Sequence, residues 1–412
     1  MSFKNHLKYL NKIFISILCV TGTYAEPFLA LERISYESSY KSDLSEYYRQ
    51  AKSYRSPASV DDATEVDEFN LYKIREFKNV SQFAGLIYFK KGDMAKLCEK
   101  QVSSAKKLGF KGVSLFYPVH FSGGNSEQYN MPSEPLHGRH YRFEELNRPS
   151  RSELYNCLNV ISKNKLNLQF IPHLESVKTL VDPENSEWRL KSGIPLDDFY
   201  YESAFGQFLD YLELTKNFSK EGDLMVTAFS EIDPMVLSYP KRSLSIVKKL
   251  KKDVFDRLGY KPKVSYNTNG DFYNGWDLPQ SKQVSSCFYL KELIEEMDYI
   301  SPSIYGDRGH VGFNNSMATY TDTKALFSKR MNKKLNELCN NKNYKISIAS
   351  KRISLGEFAL DQTSQMQSYT KFFNNKEAII VTYWNHNKWD HHALYDGTIY
   401  SKRFYKELLI SK

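Results

Sequence analysis

From residue 83 onward the chain alternates short apolar runs of strand type with longer stretches of helical spacing, and it does so eight times. The strand runs fall at 83–89, 112–117, 166–171, 224–230, 263–266, 299–303, 346–355 and 378–384. Apolar residues at i, i+3 and i+4 predict helices between them, over 93–108, 151–164, 204–215, 243–258, 290–297, 321–340 and 365–373. A last amphipathic stretch at 400–409 predicts a closing helix. A strand that returns to a parallel neighbour through a helix crosses over right-handed, and eight such units are enough to close a sheet on itself. The α/β fold expected is therefore a (β/α)8 TIM barrel. An open doubly wound sheet is the competing architecture, but no Gly-rich phosphate loop follows the first strand, where that fold holds its ligand.

With 412 residues, 41% hydrophobic and 25% charged, the chain can bury one large core. Its net charge of +9 comes from lysines and arginines scattered among acids, without the cluster that tracks a phosphate backbone, so no nucleic-acid partner is expected. An acidic polymer or an anionic envelope would suit a positive surface; a solvated mixed-charge surface is the simpler reading. Lys4, Lys8 and Lys12 precede the apolar run 13–20, and Thr23-Tyr24-Ala25 ends on small residues suited to cleavage. Residues 1–25 read as a signal peptide of a secreted or periplasmic protein. An uncleaved anchor is disfavoured, because a spanning helix needs roughly 20 apolar residues, so no stable membrane insertion is expected after processing. Cys19 follows Leu18, which is too large for a lipidation box. Residues 26–80 form a loop-rich lead-in, and 81–412 the barrel domain, expected to act as a monomer. Cys98, Cys157, Cys287 and Cys339 match no zinc spacing. In the barrel layout they permit the bridges 98–157 and 287–339, or four buried thiols.

Active sites of such barrels gather at the carboxyl ends of the strands. Glu231 closes the run 225–229, and Glu357 follows 353–356. A charge at the end of an apolar strand is costly unless it is used or paired. Around these two the layout gathers His120, His173, Glu175, Ser230, Asp233, Asn267, Asn269, Tyr305, Asp307, Trp384, Asn385 and His386. Two carboxyl groups with an aromatic floor and many hydrogen-bond formers suit glycosidic bond cleavage: one acid protonates the leaving oxygen, the other attacks the anomeric carbon or directs water at it. Trp384 supplies the aromatic floor, and His173, Asn267, Asn269, Ser230, Asp307 and Asn385 the contacts to a sugar. Each has a plainer reading. Glu357 could favour a helix start, Asp233 could cap or orient the loop before Pro234, His173 could bond a carbonyl, and Trp384 and Trp389 could simply pack. Three histidines among residues 384–392 invite a metal, but neither a His-x-x-x-His pattern nor a fourth ligand accompanies them. No metal and no cofactor is expected.

The segments Ser301-Pro302-Ser303-Ile304-Tyr305-Gly306, Leu355-Gly356-Glu357-Phe358 and Thr382-Tyr383-Trp384 resemble those of the clan A retaining glycoside hydrolases, with a looser likeness to the family 113 mannanases. The resemblance covers about residues 80–410. It implies an acid/base at Glu231, a nucleophile at Glu357, a tyrosine contacting the nucleophile at Tyr305 and a sugar platform at Trp384. The clan usually has Asn before the acid/base, where this chain has Ser230, and many members end the second strand with an arginine, where Phe116, Tyr117 and Pro118 stand here. These departures bear on the substrate, a polysaccharide or oligosaccharide with β-linkages. Two alternatives remain: substrate-assisted cleavage of an N-acetylhexosamine polymer, disfavoured by the lack of an Asp-x-Glu on the fourth strand, and a carbohydrate-binding barrel without activity. Retention requires the two carboxyls about 5 Å apart, whereas about 6.5–9.5 Å leaves room for an inverting water.

Overall fold

The computed structural model describes residues 63–65, 72–88, 92–123, 141–144, 149–176, 196, 198–269, 286–305, 320–339, 346–359, 372–383, 399–401 and 409–411. Eight parallel strands form the centre: β1 Val80–Ile87, β2 Gly112–Gly123, β3 Asn167–Ser176, β4 Leu224–Ser230, β5 Lys263–Thr268, β6 Tyr299–Tyr305, β7 Leu355–Ala359 and β8 Ile379–Tyr383. Each pairs with the next in chain order, and β8 returns to β1 with Ile379 opposite Val80. The sheet therefore closes, and the fold is the expected eight-stranded α/β barrel.

Seven helices of six residues or more are described around it: α1 Asp93–Leu108, α2 Arg151–Lys163, α3 Gln207–Thr215, α4 Asp233–Ser238, α5 Pro240–Leu258, α6 Cys287–Glu296 and α7 Tyr320–Cys339. Local chemistry sets several of their ends. Ser150 and Glu153 form a capping box at the start of α2. Proline opens α5 and a left-handed Gly259 closes it. The residues Asp198–Tyr201 and the π-turn Glu202–Gly206 lead into α3. The apolar core lies between barrel and helices; Phe170 of β3 stacks on Phe208 of α3 at 4.2 Å.

The barrel interior is more polar than such cores usually are. Ser114 of β2 donates to Gln169 Oε1 of β3 at 2.7 Å, and Thr382 of β8 donates to the same oxygen at 3.0 Å. Gln169 Nε2 donates to Thr227 of β4 at 3.1 Å, whose hydroxyl lies 2.8 Å from that of Ser265 on β5. Ser265 in turn donates to Asn267 Oδ1 at 3.1 Å. This chain crosses the interior from β8 to the upper end of β5 and sets the orientation of the Asn267 amide.

Several expectations shift. Strands β2, β3 and β6 run further than the apolar runs suggested, so His120, His173 and Glu175 stand within strands rather than beyond them. The seventh strand begins later. Residues Arg352–Ile353 pair with β6 ahead of β7, and Glu357 lies inside β7 instead of past its end. The stretch 400–409 was expected to be helical, but its described ends are strands. Ile399–Ser401 pairs antiparallel with Ala63–Glu65, and Leu409–Ser411 with Tyr72–Ile74. The lead-in thus contributes two short strands to pairing with the C-terminal part, and residues 402–408 between those ends lie outside the described residues. Of the two readings of the cysteines, bridges hold: Cys98–Cys157 joins α1 to α2 and Cys287–Cys339 joins α6 to α7. The signal segment 1–25 and most of helix 365–373 lie outside the described residues. Among the described residues no helix is long and apolar enough to cross a membrane.

Candidate active site

Both glutamates are delivered by strands that break register, β4 just before Glu231 and β7 across Glu357. In β4 the pairing with β5 shifts between Thr227 and Phe229. The carbonyl of Ala228, in the middle of this irregularity, accepts a hydrogen bond from Tyr200 Oη at 2.9 Å. In β7 the pairing with β8 shifts between Leu355 and Phe358. Such bulges re-aim the side chains that follow them and are common beside active sites.

Glu231 itself adopts φ 53°, the left-handed region that a residue with a Cβ enters at a cost of about 1–2 kcal/mol. Its N–H is held by the carbonyl of Asn267 at 2.9 Å. Strain of this kind persists only where the surroundings over-determine it. Glu357 depends on its glycine neighbour. A Cβ on Gly356 would lie 2.7 Å from the Ser301 carbonyl and 2.9 Å from Asn267 Nδ2, so only glycine lets β5, β6 and β7 approach this closely.

The two carboxyls converge. One oxygen from Glu231, one from Glu357 and one imidazole nitrogen of His173 all lie within 4.8 Å of one another. His173 Nε2 is 3.8 Å from Glu357 Oε1, and the imidazole meets the ring of Phe116 edge-on at 5.9 Å. All three groups are buried, with Glu231 and His173 4% exposed and Glu357 1%. Around them, register places Ser230 opposite Asn267, Asn267 opposite Ser301, and Glu357 opposite Ser303. The side-chain atoms Ser230 Oγ, Asn267 Nδ2, Ser301 Oγ and Ser303 Oγ are sealed from solvent without a hydrogen-bond partner among the described residues. A buried polar layer of this kind beneath two carboxyls is costly for a purely structural core.

Of the residues expected at the site, the structure thus brings together Glu231, Glu357, His173, Ser230 and Asn267. Asn269 sits just above, where its N–H donates to Asp233 Oδ2 at 3.1 Å. Tyr305 ends β6, its backbone opposite Ala359. Its side chain and those of His120 and Glu175 lie outside the described residues, as do Asp307, Trp384, Asn385 and His386. Gly356 and Tyr266 were not singled out in the sequence. For Gly356 the signal existed: a glycine inside a strand marks a close approach of backbone.

The imidazole and two carboxyls are also donors of the type that binds divalent cations. A tetrahedral ion with bonds of 2.0–2.2 Å would need its donors about 3.3–3.6 Å apart. His173 and Glu357 stand 3.8 Å apart, slightly wider than that.

The sequence matches no family model, and no curated protein matches it. Among solved structures it is similar to a GH113 β-1,4-mannanase at TM-score 0.45 and 12% identity, over 78% of this chain and 90% of that one. It is also similar to the GH113 β-mannanase of Alicyclobacillus acidocaldarius, at TM-score 0.43 and 10% identity, over 80% and 92% of the two chains. A β-mannanase from Streptomyces thermolilacinus superposes at TM-score 0.43 and 11% identity, over 76% of this chain and 83% of that chain.

Proposed function

We propose that this chain is an exported glycoside hydrolase that cleaves β-linked polysaccharide or cell-wall glycan with retention of anomeric configuration. Glu357 is the nucleophile and Glu231 the acid, then base. Tyr305 is the partner of the nucleophile and Trp384 the sugar platform, while His173, Asn267, Asn269, Ser230, Asp307 and Asn385 serve the substrate. The observation that carries this reading is the approach of the Glu231 and Glu357 oxygens to within 4.8 Å at one rim of a closed barrel. Retaining enzymes hold their carboxyl groups about 5–5.5 Å apart, too close for the water that inversion places between them. Export is supported by the lysine-flanked apolar run at the N-terminus and by two disulfides, which persist in oxidising compartments.

In this mechanism Glu357 attacks the anomeric carbon while Glu231 gives its proton to the departing oxygen. The resulting glycosyl-enzyme ester is broken by a water from which Glu231 takes a proton, restoring both groups. The test is Glu357→Ala assayed on a panel of β-linked oligosaccharides. Turnover should vanish, and added azide should restore part of it as a glycosyl azide of inverted configuration. Undiminished turnover in that variant removes Glu357 from the mechanism. A protein that binds glycans from the panel yet releases no product is a binding barrel instead.

A further inference from the structure

The segment that carries Glu231 is fastened at three points to β5 and the residue that follows it. Glu231 N–H donates to the Asn267 carbonyl at 2.9 Å, Tyr266 Oη donates to Asp233 Oδ1, and Asn269 N–H donates to Asp233 Oδ2 at 3.1 Å. Two of the three end on Asp233, which is completely buried. Asp233 opens α4, but its carboxyl does not cap that helix: the cap position is Ile232, with no side-chain cap bond. Both of its oxygens face the neighbouring strand. Between the first fastening and the other two lies the left-handed turn at Glu231.

A buried carboxyl two residues from another is an expensive choice for a loop anchor. Desolvation, opposed by the hydrogen bonds from Tyr266 and Asn269 and reinforced by the charge of Glu231, pushes the Asp233 carboxyl up to about 7. The groups facing it are Glu231 from the end of β4, Tyr266 from β5 and the Asn269 amide just past it. A serine or asparagine would anchor the loop without a second acid beside the first, so the arrangement reads as serving Glu231 rather than the fold.

We propose that Asp233 is the positioning residue of Glu231: locked to β5 through Tyr266 and Asn269, it holds the left-handed turn that aims the Glu231 carboxyl into the barrel mouth. This rests on the glycosidase reading for what Glu231 does. A positioned acid matters most where the leaving group is poor, because a good leaving group departs without a proton. Its loss therefore discriminates between substrates, which a general loss of structure does not.

The experiment compares β-linked oligosaccharides with dinitrophenyl glycosides of the same sugars, in the wild type, in Asp233→Ala and in Tyr266→Phe. For Asp233→Ala, kcat/KM on oligosaccharides should fall roughly 10²-fold, with less than about threefold loss on the dinitrophenyl glycosides. Tyr266→Phe removes only the hydroxyl and should move in the same direction, roughly tenfold, so the test stands even where the alanine variant does not fold. Equal losses on both substrates, or none on either, in Tyr266→Phe overturn the assignment of Asp233. A wild type inactive on both substrate classes is a different result: it defeats the glycosidase reading itself and this inference with it.

Discussion

At the scale of single residues, Asp233 couples the site to pH through stability as well as geometry. Its folded carboxyl titrates at about 7, well above the ordinary value of an unfolded aspartate. The stability this protonated group allows is fully present below the unfolded value, about pH 4, and is lost as pH rises through about 7. Asparagine in its place stays neutral, accepting from the Asn269 amide and donating to the Tyr266 oxygen. The unfolding free energy of Asp233→Asn relative to wild type should therefore rise between pH 4 and pH 8, by an amount on the order of a few kcal/mol. Denaturant titrations at both pH values measure it, and parallel curves would show that the carboxyl is not held protonated. Little of this was visible in the sequence. Glu231 and Glu357 stood out because each follows an apolar run, whereas the partner of Asp233 is a tyrosine 33 positions away whose relevance depends on the register of β4 against β5. Of the two plain roles open to Asp233, capping its helix or bonding its loop, the structure shows the second: its carboxyl caps nothing and accepts from Tyr266 and the Asn269 amide.

At the scale of elements, apolar runs located seven of the eight strands, since parallel strands covered by helices are buried on the outer face, whereas the run at 346–355 overlaps β7 only at Leu355. What the runs concealed was where each strand ends. Strands β2 and β3 continue through His120 and Glu175, which pair with each other beyond the apolar run. The bulges at Thr227–Phe229 and Leu355–Phe358 left no compositional trace except Gly356, and they decide which side chains reach the mouth. The two described ends of the stretch 400–409 have strand partners more than 300 residues earlier, a choice no local window contains. The cysteine pairs, by contrast, are permitted by adjacency of helices once the barrel is assumed, though four buried thiols fit the sequence as well. Each bridge closes a long loop, with sequence separations of 59 and 52 residues. In the chain-entropy account such loops stabilise by roughly 4 kcal/mol each. Replacing either pair with alanines should lower the midpoint of urea unfolding in non-reducing buffer. Dithiothreitol should then have a smaller further effect on each double variant than on the wild type, and equal effects would mean the bridges do not bear on stability.

At the scale of the whole molecule, the closed sheet is held from inside by hydrogen bonds as well as by apolar packing on its outer face. Gln169 is the junction: its oxygen accepts from Ser114 and Thr382, and its nitrogen donates to Thr227, joining β2, β8 and β4 through β3. All four side chains are completely or almost completely buried. The alternation of Ser, Gln and Thr with apolar residues in these runs is legible as an inward face, but the partners depend on barrel closure. Leucine at 169 is similar in volume and would preserve packing, yet it removes the three bonds to the amide and leaves Ser114 and Thr382 only each other, at 2.8 Å, and Thr227 only Ser265. A buried hydrogen bond contributes about 0.5–1.5 kcal/mol net, and the members of a network polarise one another, so the loss of three should make Gln169→Leu less stable by about 2 kcal/mol despite the added apolar surface. The same chain runs through Thr227 and Ser265 to Asn267, whose carbonyl accepts the Glu231 N–H. Loosening the junction should therefore be felt at the rim: in the folded Gln169→Leu protein, amide hydrogen exchange at Glu231 should quicken more than at Val264, a buried position on the outward face of β5. Unchanged stability together with unchanged exchange at Glu231 would show that apolar packing alone closes the barrel and that the interior hydrogen bonds merely fill it.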